Sequence, residues 1–256
     1  MSEHILVSQE NRILKLQLNR PEKKNALTAE MYSKLAEELE QANTDPQTRV
    51  ILLTGSGDSF SSGNDLNDFL QNPPQDGSSP VFRFLKAIST CEKPIVAAVN
   101  GIAIGIGTTM LLHCDLVYAS ETALFQLPFV NLALVPEAAA SYLLPQKLGY
   151  QKAAELIYLS KKFGAAEAKE LGLVNDSFTA DALQDNGLRV ATELSQKAPE
   201  ALRLSKMLLK RGAAQVVAET MQTEGELFRQ RLGSPEAQEV MQAFMQKRQP
   251  DFSKFS

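Results

Sequence analysis

The sequence predicts an α/β fold with a largely parallel sheet, followed by a helical C-terminal region. Continuous apolar runs at residues 50–53, 94–99 and 116–119 have the length and composition of strands covered on both faces. Segments with other spacing, helical among them, lie between such runs, and strands alternating with helices imply right-handed βαβ crossovers. Beyond about Gly149 the strand signal fades and helical periodicity takes over.

The elements follow in order. Residues 13–18 alternate apolar and polar side chains, as a half-buried strand does, and Asn19-Arg20-Pro21 ends it. Residues 26–42 carry Leu27, Met31, Leu35 and Leu39 at helical spacing, with Thr28 as N-cap. Residues 71–80 form a Pro/Gly/Ser-rich break, read equally as a surface loop near a site or as a disordered insertion. After Gly149, residues 153–159, 165–171, 182–196, 200–210, 216–231 and 235–246 all read as helices, making an all-helical appendage of a kind that often packs on a neighbouring subunit.

Size and charge narrow the function classes. The chain has 256 residues, 44% hydrophobic and 22% charged, the range of a folded globular protein. At this length folding buries roughly 70–75% of the unfolded surface, enough for one large domain with an appendage or two small ones. A net charge of −4 with no basic stripe speaks against a nucleic-acid partner. Cys91 and Cys114 sit in or beside apolar runs and read as buried thiols rather than a disulfide framework. The N-terminal segment lacks a basic region followed by an apolar stretch, so no secretion signal is expected. The apolar runs around 95–99 and 102–106 are broken by Asn100 and Gly101 and are too short to span a bilayer. The expectation is a protein of the cytoplasm, or of an organelle matrix, without a membrane partner. The final Lys254-Phe255-Ser256 is not the Ser-Lys-Leu peroxisomal address.

Three stretches are candidates for chemistry. In Ser59-Phe60-Ser61-Ser62-Gly63-Asn64-Asp65-Leu66, small residues and a glycine let the backbone turn sharply and approach a ligand, and Asp65 caps a following helix. Taken alone, it is also an ordinary strand-to-helix turn. In residues 100–109, Gly101, Gly105 and Gly107 lie at a strand-to-helix junction where backbone N–H groups at a positive helix end suit a developing oxyanion. Close helix–sheet packing explains the same glycines, and they do not fit the GxGxxG dinucleotide fingerprint. In residues 128–141, Glu137 is a lone acid between Pro136 and three alanines. It reads either as an acid in a first helical turn, favoured by the macrodipole, or as a buried carboxyl with a raised pKa able to carry protons.

The remaining signals are weaker. His4 and His113 are isolated, no metal-ligand spacing occurs, and His113 reads as a core or interface histidine. Ser141 lacks the GxSxG turn of a serine hydrolase. Lys23-Lys24, Lys161-Lys162 and Lys247-Arg248 read as solvated surface or as contacts to the phosphates of an anionic ligand.

Taken in order, five segments resemble the crotonase superfamily, also called the enoyl-CoA hydratase/isomerase family. They are residues 19–27 (NRPEKKNAL), 62–66 (SGNDL), 93–101 (KPIVAAVNG), 114–119 (CDLVYA) and 243–248 (AFMQKR). The resemblance covers nearly the whole chain. It implies a spiral of ββα units over residues 1–195 and a helical oligomerisation region over 196–256 that forms a trimer or a dimer of trimers. It implies a coenzyme A thioester as substrate, coenzyme A being part of the substrate and no separate cofactor being needed. By motif matching, the backbone N–H groups of Asn64 and Ile106 hold the thioester oxygen. Ile106 stands where the family usually has Gly; a backbone donor survives that exchange, while the side chain is expected to narrow the pocket. Lys24, Ala26 and Ser62, with Gly63, Asp65 and Leu66 beside them, fall where the family meets coenzyme A, and Phe244 and Lys247 resemble the C-terminal pair at its adenine end.

The acids depart from the hydratase pattern. Where hydratases of the family place their two Glu residues, this chain has Thr109 and Phe129. Water addition needs an acid and a base around one water, so hydratase activity is not expected. Pro136-Glu137-Ala138-Ala139-Ala140-Ser141, together with Ser62-Gly63-Asn64-Asp65-Leu66, resembles the peroxisomal-type Δ3,Δ2-enoyl-CoA isomerases, which carry a single Glu in such a segment. The resemblance thus implies a 1,3-proton shift with Glu137 as base. A hydrolase, hydratase-like or carbon–carbon-bond enzyme on the same fold remains open, as does a non-catalytic acyl-coenzyme A-binding protein.

Overall fold

The chain opens on a hairpin that the periodicity does not announce. In the computed structural model, which describes residues 4–72, 74 and 76–255, β1 (Ile5–Glu10) pairs antiparallel with β2 (Ile13–Leu18). Asn11 and Arg12 between them both have positive φ, 50° and 66°, the geometry of a two-residue primed turn. β1 is exposed from Leu6 to Glu10, so no face of it shows apolar alternation.

Next comes α1 (Ala29–Thr44), where the Thr28 hydroxyl accepts from the Met31 N–H as the cap reading expects, and Met31, Tyr32, Leu35 and Leu39 are buried. Three ββα units follow. The first is β3 (Val50–Gly55), β4 (Ser59–Ser61) and the helices α2 (Leu66–Gln71) and α3 (Pro80–Thr90). The second is β5 (Ile95–Val99), β6 (Ile102–Ile104) and α4 (Ile106–Thr109). The third is β7 (Leu116–Ser120), β8 (Leu124–Gln126), α5 (Ala140–Leu148) and α6 (Tyr150–Tyr158). A last turn adds β9 (Phe163–Gly164), α7 (Ala165–Glu170), β10 (Asp176–Phe178) and α8 (Ala180–Ser195). Residues 196–256 then contribute α9 (Pro199–Lys210), α10 (Ala214–Leu232) and α11 (Pro235–Met245).

Each unit sends its first strand to one sheet and its second to another, which is the crotonase spiral. The larger sheet runs β1-β2-β3-β5-β7-β10, parallel from β2 onward, and the smaller runs β4-β6-β8-β9. The apolar strands β3 and β5 are buried along their whole length, because helices cover both faces of the larger sheet. On one face Leu183, Val190 and Ala191 of α8 pack on Ile13, Val50, Leu52, Val96 and Ala98. On the other lies the main core, to which α1 contributes Met31 and Leu35 and α3 contributes Phe84 and Ile88.

One expectation is corrected. The region after Gly149 is not all helical, since β9 joins the smaller sheet antiparallel to β8 and β10 joins the larger one parallel to β7. Strands of two and three residues are too short to show a period, and all three residues of β10 are only half-buried. Within the 71–80 break, Gln71 closes α2 and Pro80 opens α3, while residues 73 and 75 lie outside the described residues, as do residues 1–3 and 256 at the termini. Cys91 is buried and Cys114 half-buried, both as free thiols. Among the described residues no helix is long and apolar enough to cross a membrane.

Candidate active site

The first part of the site is a turn built by Asn25 and Gly63. Segments 24–27 and 61–65 run side by side. Ser62 N–H donates to Lys24 O (2.9 Å), Leu27 N–H to Gly63 O (2.8 Å) and Asp65 N–H to Leu27 O (2.9 Å). The Ser61 hydroxyl donates to Asn25 O, and buried Asn25 Nδ2 to Ser56 O and Ser59 O. Gly63 has φ +98°, a conformation that would strain any side chain. The parallel bridge between Leu27 and Asn64 uses the peptide groups flanking Asn64, so its own N–H points away from Leu27. Asp65 caps α2 through Asn67 N–H and Asp68 N–H and is held by Arg20 Nη1 at 2.6 Å.

Sheet register supplies a second donor. β4 pairs parallel with β6, and Ser61 lies opposite Ala103. Asn64 and Ile106 are each three residues beyond that pair, so both leave the carboxyl ends of adjacent parallel strands. Ile106 is the first residue of α4, where an N–H has no acceptor within the helix. Gly107 explains the close approach: a Cβ there would stand 2.7 Å from Ser61 O. Close packing at Gly107 therefore fixes where the neighbouring Ile106 N–H stands relative to β4. Gly107→Ala is expected to destabilise the protein by about 1–3 kcal/mol and to lower turnover as α4 moves off β4. Urea unfolding should show a lower midpoint at constant m; an unchanged midpoint would mean that α4 and β4 separate freely.

Glu137 closes the site. The Thr109 hydroxyl donates to Glu137 Oε1, and Thr109 lies three residues on from Ile106, about 4.5 Å along the helix axis. Glu137 is 7% exposed and precedes α5 rather than opening it, since α5 begins at Ala140 with Ala139 as N-cap. The first-turn reading of Glu137 is thereby corrected. The acid that serves the start of α5 is Glu224 of α10, whose Oε2 accepts from Ala139 N–H (2.6 Å) and Oε1 from Ser141 N–H (2.8 Å). Burial pushes the Glu137 carboxyl up to about 8, against the Thr109 hydrogen bond, and the nearby Glu224 carboxylate adds to the rise.

Tyr32 ties the parts together. Its hydroxyl donates to Asn64 Oδ1 from inside α1. Burial holds the phenol well above its ordinary value, and the charges of Glu137 and Asp68 raise it further.

The structure brings Lys24, Ala26, Ser62, Gly63, Asn64, Asp65 and Leu66 into one patch, with Ile106 and Glu137 beside it. Lys24 is half-exposed and pairs with Asp58 at 2.6 Å, while Ala26 is buried. Ile106 is 2% exposed and belongs to the main core. Phe244 and Lys247 stand apart: Phe244 is 67% exposed at the end of α11, and Lys247 is exposed with no ion pair to the patch among the described residues. Tyr32 and Glu224 were not legible as site residues, since each sits in an ordinary amphipathic helix. His113, expected in the core, is buried there; burial drives its pKa down to about 4, so the ring is neutral and its Nε2–H donates to Ala138 O (2.8 Å). Among the described residues, no three His, Cys, Asp or Glu side chains gather closely enough to hold a metal ion. A cleft of about 600 Å³ is lined by the end of α3, by Leu112–His113 and by α9 and α10.

The family profile "Enoyl-CoA hydratase/isomerase" matches residues 8–254. Enoyl-CoA delta isomerase 2 of Rattus norvegicus is 35% identical over 253 residues, 96% of this chain, which spans 64% of the rat protein's length. The 2,3-dehydroadipyl-CoA hydratase of Escherichia coli (strain K12) is 34% identical over 256 residues, covering 98% of this chain and 99% of that one. The crystal structure of an enoyl-CoA hydratase/isomerase from Pseudoalteromonas atlantica T6c matches with a TM-score of 0.94 at 47% identity, over 98% of this chain and 100% of the other.

Proposed function

The chain belongs to the enoyl-CoA hydratase/isomerase family, and on that premise we propose that it is a Δ3,Δ2-enoyl-CoA isomerase, moving a 3-enoyl-CoA double bond to the trans-2 position and so feeding unsaturated acyl chains into β-oxidation. The observation that carries this reading is a single buried carboxyl, Glu137, next to the helix that begins at the Ile106 donor. The other nearby carboxyl, Glu224, spends both oxygens on backbone N–H groups. One free carboxylate suits a proton shift, which takes and returns the same proton. It suits water addition poorly, since that needs an acid and a base in different protonation states.

Glu137 takes a proton from C2 of the thioester. The C2–H electron pair moves into the thioester carbonyl, giving a dienolate whose oxygen rests on the Asn64 and Ile106 N–H groups. The pair then returns through the conjugated system, C4 takes the proton from Glu137, and the double bond ends between C2 and C3. A preorganised donor is worth about 3–4 kcal/mol of barrier. On this reading half-exposed Lys24, paired with Asp58 here, meets the coenzyme A phosphates. Exposed Leu209 and Met207 on α9 suit burial against further copies of the chain in a trimer or a dimer of trimers.

The test is absorbance at the conjugated enoyl-thioester band after adding protein to 3-hexenoyl-CoA, with Glu137→Gln in parallel. A rise with wild type and none with the variant supports the reading. No rise with wild type on short or long acyl chains overturns it in favour of a hydrolase or an acyl-CoA-binding protein.

A further inference from the structure

We propose that Glu224, reaching in from α10, is a positioning residue for Glu137: it clamps the turn that aims the Glu137 carboxyl and sets a fixed negative charge behind it. The inference rests on the reading of Glu137 as base.

The turn needs a clamp. Ala138 and Ala139 both take left-handed conformations, with φ 62° and 56°. Non-glycine residues rarely adopt that region, and they stay there only where the surroundings over-determine them. Two buried side chains do so here. His113 Nε2–H donates to Ala138 O, and the Glu224 carboxylate receives Ala139 N–H and Ser141 N–H. Glu137 immediately precedes the pinned residues, so its backbone direction is fixed by partners remote in sequence.

α10 is itself held firmly. Gly225, next to Glu224, lets the helix press on Phe82, where a Cβ would lie 2.8 Å from the ring. One turn on, Phe228 packs edge-on against Phe69 with centroids 6.0 Å apart. Glu224 is 5% exposed, so its charge stands in a poorly solvated place. Two backbone donors and the positive end of α5 favour its ionised form, though burial works against them and leaves its pKa raised. The titratable groups facing Glu137 are this carboxylate and the Tyr32 phenol, with neutral His113 beyond Ala138. A carboxylate fixed behind the base makes the base stronger and discourages both groups from ionising at once.

The test uses Glu224→Gln and Glu224→Asp in the full chain. A catalytic group misplaced by about 1 Å loses on the order of 100-fold. Both variants are therefore expected to lose at least about tenfold in kcat on 3-hexenoyl-CoA, with KM little changed. Removing the charge with Gln should also move the rising limb of kcat/KM to lower pH, while Asp, which keeps the charge, should leave that limb in place. A residue that only capped α5 would lower the urea midpoint and leave the limb unmoved; that result, or full kcat in Glu224→Asp, overturns the proposal. If Glu224→Gln does not fold, the Asp variant decides. Titration of the Glu137 carboxyl carbon by 13C NMR, assigned by its loss in Glu137→Gln, needs no turnover. A downward shift in Glu224→Gln with an inactive wild type would keep Glu224's influence on Glu137 and remove the isomerase reading; no shift overturns the charge.

Discussion

Glu137→Gln is expected to lower kcat by about 10²–10⁴-fold, the usual worth of a positioned proton carrier, and at the same time to make the protein more stable at pH 8. The two effects share one cause. In the folded chain burial keeps the proton on Glu137 up to about pH 8. In the unfolded chain a Glu releases it near 4.3. Between those values the native state binds more protons, so stability falls as pH rises. Glutamine is neutral throughout and escapes this loss while still accepting from Thr109. The variant's advantage is absent below about pH 4, grows from pH 5 upward, and reaches on the order of 4 kcal/mol by pH 8. Thermal unfolding of both proteins at pH 5 and pH 8 checks this. The gap should widen by several degrees at the higher pH; equal gaps would mean that water reaches the carboxyl and that its pKa is ordinary.

The second large effect is on the pH profile. kcat/KM reports the free enzyme, and under the proposed mechanism only ionised Glu137 removes the C2 proton. With a pKa of about 8, roughly 1% of the protein carries the active form at pH 6. kcat/KM should therefore stand about 100-fold below its plateau there and rise with unit slope until it levels above pH 8. Two of the titrating groups nearby stay out of this window. His113, driven to about 4, is already neutral, and Tyr32, held above its ordinary value, keeps its proton past the plateau. A profile flat from pH 6 to 9 would show that the base is ionised throughout.

The sequence made the middle of the larger sheet legible and hid that sheet's two edge strands, β1 and β10, along with the smaller sheet. β3 and β5 are runs of apolar residues buried along their whole length, β7 is buried over most of its length, and burial of that kind writes itself into composition. β4, β6, β8 and β9 have three residues or fewer, and no periodicity fits in so little chain. The segments proposed to hold the oxyanion stood out because a glycine at φ +98° and another facing Ser61 O leave fixed marks in sequence. Glu137 was visible as a lone acid among alanines, but the residues alone did not decide between a first-turn acid and a buried one, because burial comes from partners far along the chain. Glu224 lies 87 residues beyond it and carries no local mark at all. Long-range contacts of this kind are properties of topology, which a single sequence does not display.

The shared register of β4 and β6 has a consequence for how such a protein changes over time. Both groups proposed to hold the thioester, the Asn64 and Ile106 N–H, belong to the main chain, and both are spaced three steps from one pair in the same ladder. Among point substitutions only proline would delete them, whereas a single-residue insertion in either loop would rotate its donor out of line. The electrophile's cradle is thus tolerant of exchange and intolerant of length. The proposed proton carrier is one side chain, and a single substitution is enough to remove it. Divergence on such a frame changes the reaction sooner than it changes the class of compound held, and relatives of nearly equal similarity then come to bear the names of both isomerases and hydratases.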